Sequence, residues 1–83
     1  MRKSTHTPLY EAFRKKLVGM RQEAGLNQRQ LAKKLDVPRS FVSRIELGER
    51  RLDVVEFFWV CRAFGVPAEK TAATLMREFK RLE

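Results

Sequence analysis

The sequence predicts an all-α fold of five helices, and three observations carry that expectation. Apolar residues recur at steps of three and four along almost the whole chain. The glycines and prolines, Gly19 apart, fall where a helix would begin or end. No window shows the sustained apolar/polar alternation of a half-buried strand. With 83 residues and 43% hydrophobic content, the chain has enough apolar side chain for one small core. A core of that size leaves no room for a deep cavity with a catalytic apparatus.

Residues 1–7 read as a flexible N-terminal segment. Leu9, Phe13, Leu17, Met20 and Ala24 then share one face, giving a first helix from about Pro8 to Ala24. Thr7 suits its N-cap, Pro8 its first position, and Gly25 the left-handed residue that closes it. Gly19 lies inside this helix at a cost of roughly 1 kcal/mol relative to Ala. A second helix opens with Asn27 as cap, Gln30 as its capping-box partner and Leu26 positioned to staple onto Leu31. It runs only to about Leu35, because Asp36 tolerates a left-handed turn and Pro38 restricts Val37 to extended geometry.

Pro38 suits the first position of a third helix, about 38–47, that carries Phe41, Val42 and Ile45 and ends at Gly48. Asp53 and Glu56 make a box-like cap for a fourth helix, with Leu52 able to staple onto Phe57. Between Val54 and Phe64 only Glu56 and Arg62 are charged, so this helix is expected to be buried all round. Pro67 starts a fifth, amphipathic helix over 67–83, with Ala68, Ala72, Leu75, Met76, Phe79 and Leu82 in one stripe. Two short helices joined by so abrupt a turn over 8–66 describe a helix-turn-helix domain.

Charge places the partner on one part of this chain. Met1 to Arg51 holds 13 Lys/Arg and 5 Asp/Glu, a balance of +8, whereas Leu52 to Glu83 holds 5 and 5 and is neutral. The first part is expected to meet an anion. A single cysteine, Cys61, in an apolar run offers no disulfide or thiolate metal site and fits a reducing compartment. Neither a signal peptide nor a run of ~18 apolar residues is present, so the expected location is the cytoplasm. His6 is the only histidine, and with no Gly-rich phosphate loop or metal-ligand cluster the residues argue against an enzyme, a cofactor or a metal site.

GLNQRQLAKKLDV, FVSRIELGER and LDVVEFFWVCRAFGV together resemble the lambda-repressor-like, or XRE-type, transcriptional regulators over roughly Leu9 to Val66. This resemblance implies double-stranded DNA as partner, with the third helix in the major groove, a docking geometry for which relatives of this family are the standard examples. It implies that Arg39, Ser40, Ser43 and Arg44 present side chains to base edges and that Gln28 holds a phosphate. Arg chemistry suits the first role, since a guanidinium can contact guanine O6 and N7 together, while Ser reads less strictly. Phe41, beside them, either touches a thymine methyl or closes the core. Arg50 and Arg51, in the loop that follows, have the forked geometry for phosphate oxygens. The resemblance further implies a structural ion pair between Arg21 and Glu46. Two positions depart from the family pattern: Asp36 stands where glycine is usual, and Pro38 where Ser or Thr is frequent.

Such regulators generally bind as two-fold dimers, and the neutral second part could supply the contact. Trp59, Leu75, Met76 and Phe79 are the candidate interface residues for a homodimer through the fourth and fifth helices. The opposing reading has the fifth helix folding back over Trp59 and its own core. An antitoxin-type module that grips a second protein and autoregulates through the same helix-turn-helix is the alternative function. RNA binding is disfavoured because no sheet carries aromatic stacking residues. The short chain also leaves no separate domain for a small-molecule effector.

Overall fold

The computed structural model describes residues 6–83, so residues 1–5 of the expected flexible segment lie outside the described residues. Five helices follow one another: α1 (Pro8–Glu23), α2 (Gln28–Leu35), α3 (Arg39–Glu46), α4 (Val54–Phe64) and α5 (Ala68–Leu82). There is no strand among the described residues. α2 packs on α3 and α4, α1 on α3 and α5, and α4 on α5.

The helix ends follow from local chemistry. The Thr7 hydroxyl accepts from the Tyr10 N–H at 3.3 Å, and Gly25 leaves α1 with φ 73°. Asn27 and Gln30 exchange two bonds of 2.8 Å, and Asp53 and Glu56 do the same at 2.8 and 2.9 Å, so both expected capping boxes are formed. Asp36 adopts the left-handed conformation, φ 57° and ψ 48°, and its N–H returns to carbonyls of the last turn of α2. Pro38 differs from expectation: with ψ 152° it is the extended residue that caps α3 from outside, not the first helical position. Pro67 stands in the same relation to α5, with ψ 119°. In both cases the preceding backbone has to change direction, and an extended proline supplies the change before the helix begins.

The core has two parts. Leu31 and Ala32 of α2 bury against Val42 of α3, which closes the turn between these helices. Leu17, Met20, Ile45, Leu52, Phe57, Val60, Cys61 and Leu75 form the larger part, with Phe13 and Phe57 rings 5.7 Å apart. Cys61 is fully buried, which pushes its thiol above the ordinary value.

The expectation that α4 is buried all round is wrong. Only Phe57, Val60 and Cys61 are buried, while Val54, Val55, Phe58 and Trp59 are 79, 53, 51 and 49% exposed. A helix of one small domain is flanked on one side only, here by α2 and α5, and its far side has no neighbour to cover it. Among the described residues, no helix is long and apolar enough to cross a membrane.

Candidate nucleic-acid interface

α3 is an eight-residue rod whose two sides differ sharply. Val42 and Ile45 are buried, Val42 against α2 and Ile45 in the larger core. At about 100° per residue, Arg39, Ser43, Ser40 and Arg44 fall within an arc of about 140° on the opposite side. Arg39, Ser40 and Arg44 are exposed, and Ser43 is half-buried, its hydroxyl donating a long bond of 3.4 Å to the Ser40 carbonyl. The structure thus brings the four expected base-reading residues onto one outward surface.

The rod is held at its far end by Glu46. Arg21 Nε donates to Glu46 Oε2 at 2.7 Å and its NH2 to Oε1 at 3.1 Å, a forked pair with side chains only 13 and 10% exposed. A third guanidinium nitrogen donates to the Leu26 carbonyl at 2.8 Å. Arg21 therefore ties α1 to the end of α3 and to the entrance of α2 at once. Gln28 joins this group, its amide donating to Glu46 Oε1 at 2.9 Å. One amide hydrogen and the carbonyl oxygen of Gln28 are left for another partner.

Arg21, Asn27, Gln28, Arg29 and Arg39 line a shallow cleft between the starts of α2 and α3. Arg29 was not singled out from the sequence and Asn27 only as a helix cap, although Arg29 adjoins Gln28 and its charge was a usable signal. The first turn of a helix lacks intrahelical partners for its N–H groups, a feature that favours an anion near the starts of α2 and α3.

The following loop departs from expectation. Arg50 is already engaged within the chain: its two terminal nitrogens donate to both Glu56 oxygens at 3.0 and 2.9 Å, and one also to the Arg51 carbonyl at 2.8 Å. The guanidinium carbon lies 4.4 Å from the centre of the Phe41 ring. The Arg50 fork holds the Glu56 carboxyl below its ordinary value. Arg51 is exposed and stands 5.1 Å from the Tyr10 ring centre. Phe41 is half-buried and packs against both parts of the core, as the core-closing reading expected.

The proposed interface residues are not gathered in one place. Leu75 is only 4% exposed and belongs to the core, which removes it as an interface candidate. Phe79 packs partly against the same core, and Met76, 61% exposed, shares with it a groove walled by Tyr10, Phe13 and Val54. Trp59 instead lies beside Lys34, Leu35, Arg62 and Ala63. α5 does fold back over the core, yet it leaves Trp59 uncovered.

Tyr10 and Arg14 of α1 were missed. Tyr10 Oη accepts from the Leu52 N–H at 2.7 Å, and Arg14 NH1 donates to the Glu46 carbonyl at 2.6 Å. Nothing local in the sequence signals either bond, since they span 42 and 32 residues.

Comparison with known proteins agrees with this geometry. The Helix-turn-helix family model matches residues 20–70. Among solved structures, an XRE-family like protein from Pseudomonas syringae pv. tomato str. DC3000 is 40% identical, with a TM-score of 0.80 over 88% of this chain and 91% of that one. No curated protein matches the chain. Five helices, the short turn at Asp36 and these matches lead to one conclusion: the chain belongs to the XRE-type helix-turn-helix family, whose members are DNA-binding regulators with the lambda-repressor-like fold, not enzymes.

Proposed function

We propose that the protein is a small cytoplasmic transcriptional regulator that reads a specific double-stranded DNA sequence with α3 in the major groove, without a small-molecule effector. The observation that carries this reading is the common outward arc of Arg39, Ser40, Ser43 and Arg44 above the buried Val42 and Ile45. Arg39 and Arg44 are the principal base readers, each worth about 1–3 kcal/mol of discrimination where it forks onto guanine. Gln28, steered by Glu46, and Arg51 contact phosphates. Arg29, on the rim of the same cleft as Gln28, adds a further backbone contact. Arg50 reaches a phosphate only by loosening its grip on Glu56.

The test is selection of bound sequences from random duplex DNA, repeated with Arg39→Ala and Arg44→Ala. Each variant is expected to lose preference at its own base pairs. A uniform loss of affinity with unchanged preference would show that these side chains only touch the backbone. Gln28→Ala and Arg51→Ala are expected to weaken all sequences alike, and Arg51→Ala to make the salt slope shallower by about one.

We further propose a homodimer over two half-sites about 34 Å or a near multiple apart, with the outer face of α4 as its contact. Phe58 and Trp59 give that face rigid aromatic anchors, and residues 52–83 are charge-neutral, so two copies meet there without the repulsion of the +8 part. Trp59 is the only tryptophan, so its fluorescence reports burial of this face directly. A sedimentation mass near 9.8 kDa at micromolar concentration would remove the homodimer. A monomer whose Trp59 becomes buried by a different chain would favour the antitoxin-type reading.

A further inference from the structure

The four last carbonyls of a helix have no partner within it, and in an eight-residue helix they are half of the total. In α3 each is satisfied from outside. The Ser43 carbonyl accepts from Leu47 N–H at 2.9 Å, Arg44 from Glu49 at 2.8 Å and Arg50 at 3.3 Å, and Ile45 from Gly48 at 3.1 Å. Glu46, the last, accepts from the Arg14 guanidinium at 2.6 Å, so of these four carbonyls it is the one served by another helix. Arg14 thus brings a positive charge and a donor to the negative end of the α3 dipole.

Arg14 is itself held in place. Glu11, one turn earlier on α1, accepts from its Nε at 3.3 Å and from NH2 at 2.6 Å, leaving NH1 aimed at α3. Gly48 is buried with φ 78°, and a side chain built on it would stand 3.5 Å from Arg14 Cδ, so the loop lies directly on the Arg14 stem. Six residues beyond Glu46, the Leu52 N–H is bound by Tyr10, one turn before Arg14. Two residues of α1, Arg14 and Tyr10, therefore grip the two ends of the segment 46–52, and Glu11 holds Arg14 in place. The start of α3 is fixed differently, by Val42 against Leu31 and Ala32 of α2.

We infer that Arg14, oriented by Glu11, is a positioning residue for DNA reading: it sets the placement of the last turn of α3, and with it Arg44 and Ser43, while Arg39 and Ser40 are set by α2. The inference rests on the base-reading role proposed above. Arg14 touches no base. It acts through the Glu46 carbonyl, and removing it leaves the end of the rod held by Ile45 and the Glu46 carboxylate alone, with play of the fraction of an ångström that a forked guanine contact does not tolerate.

The experiment is the random-duplex selection at one fixed salt concentration, with wild type, Arg14→Gln, Arg14→Lys, Glu11→Gln, Arg39→Ala and Arg44→Ala. The two alanine variants mark which base pairs belong to each half of α3. In Arg14→Gln, preference is expected to fall about fivefold or more at the Arg44 base pairs and to hold at the Arg39 base pairs. Arg14→Lys restores part of it, because charge and one donor remain. Glu11→Gln, an exchange on a partly exposed pair that leaves the core untouched, shifts the same base pairs by less and serves if Arg14→Gln does not fold. Equal loss at both halves, or lower affinity with every preference intact, would mean that Arg14 is a stabilising residue only and would overturn the inference. If Arg44→Ala itself changes no preference, the base-reading assignment fails and takes this inference with it, a pattern distinct from the other two.

Discussion

α3 and α4 are both short helices with one buried side, yet the sides they turn outward are opposite in kind. α3 shows Arg39, Ser40 and Arg44 to solvent, whereas α4 shows Val54, Val55, Phe58 and Trp59. A polar outer side needs no cover, so it can wait in water for a charged duplex. A contiguous apolar side gains free energy whenever another surface excludes water from it. The charge balance of the two parts repeats the contrast: +8 up to Arg51 and zero beyond. The difference teaches that this chain turns two outward surfaces of opposite kind to solvent, a polar and basic one on α3 and an apolar one on α4, joined by a common core.

The sharpest way to break that comparison is to truncate neighbouring phenylalanines of α4. Phe57→Ala should cost about 3–5 kcal/mol in urea or thermal unfolding, as a core deletion. Phe58→Ala should change the stability of the monomer by no more than about 0.5 kcal/mol, while weakening self-association in sedimentation. If the two cost the same, the outer face is not free. Next in size, Glu46→Ala should cost about 3 kcal/mol, because it strands Arg21 and unties Gln28 on the DNA side only. A smaller effect concerns pH. Arg50 lowers the Glu56 carboxyl in the folded state, so the pair adds stability that is present above the ordinary value of 4.5 and lost as pH falls through the lowered one. Glu56→Gln should remove about 1 kcal/mol at neutral pH and flatten the acid limb of a stability–pH profile. If the profile keeps its shape, the pair contributes nothing. The least change is expected from Gly19→Ala: a methyl there meets nothing within 4 Å, so the exchange should raise stability by up to about 1 kcal/mol in thermal unfolding.

Much of the helix-turn-helix was legible because its determinants are local. Asn27 with Gln30, Asp53 with Glu56, and Asp36 before Pro38 each act within three residues, and the structure contains all of them. The arc of α3 was legible for the same reason, since helical spacing alone sets which residues share a side. The proposed phosphate role of Arg50 was read from its loop position, but its forked bond to Glu56 depends on how the loop turns back over α4. Leu75 and Met76 were assigned one role although they are adjacent, and the packing of α5 put one in the core and the other in solvent.

The boundaries of the helices, the corner at Asp36 and the asymmetry of charge were decided by the order of residues alone, because caps, left-handed turns and side-chain spacing act over a few bonds. Which side of α4 is covered, whether a guanidinium faces solvent or a carboxylate, and that Tyr10 and Arg14 grip a segment 42 and 32 residues away were decided only by the tertiary arrangement. The physical reason is range: burial and long-range hydrogen bonds depend on which surfaces meet, and an amphipathic pattern specifies that a face is apolar without specifying what, if anything, will cover it.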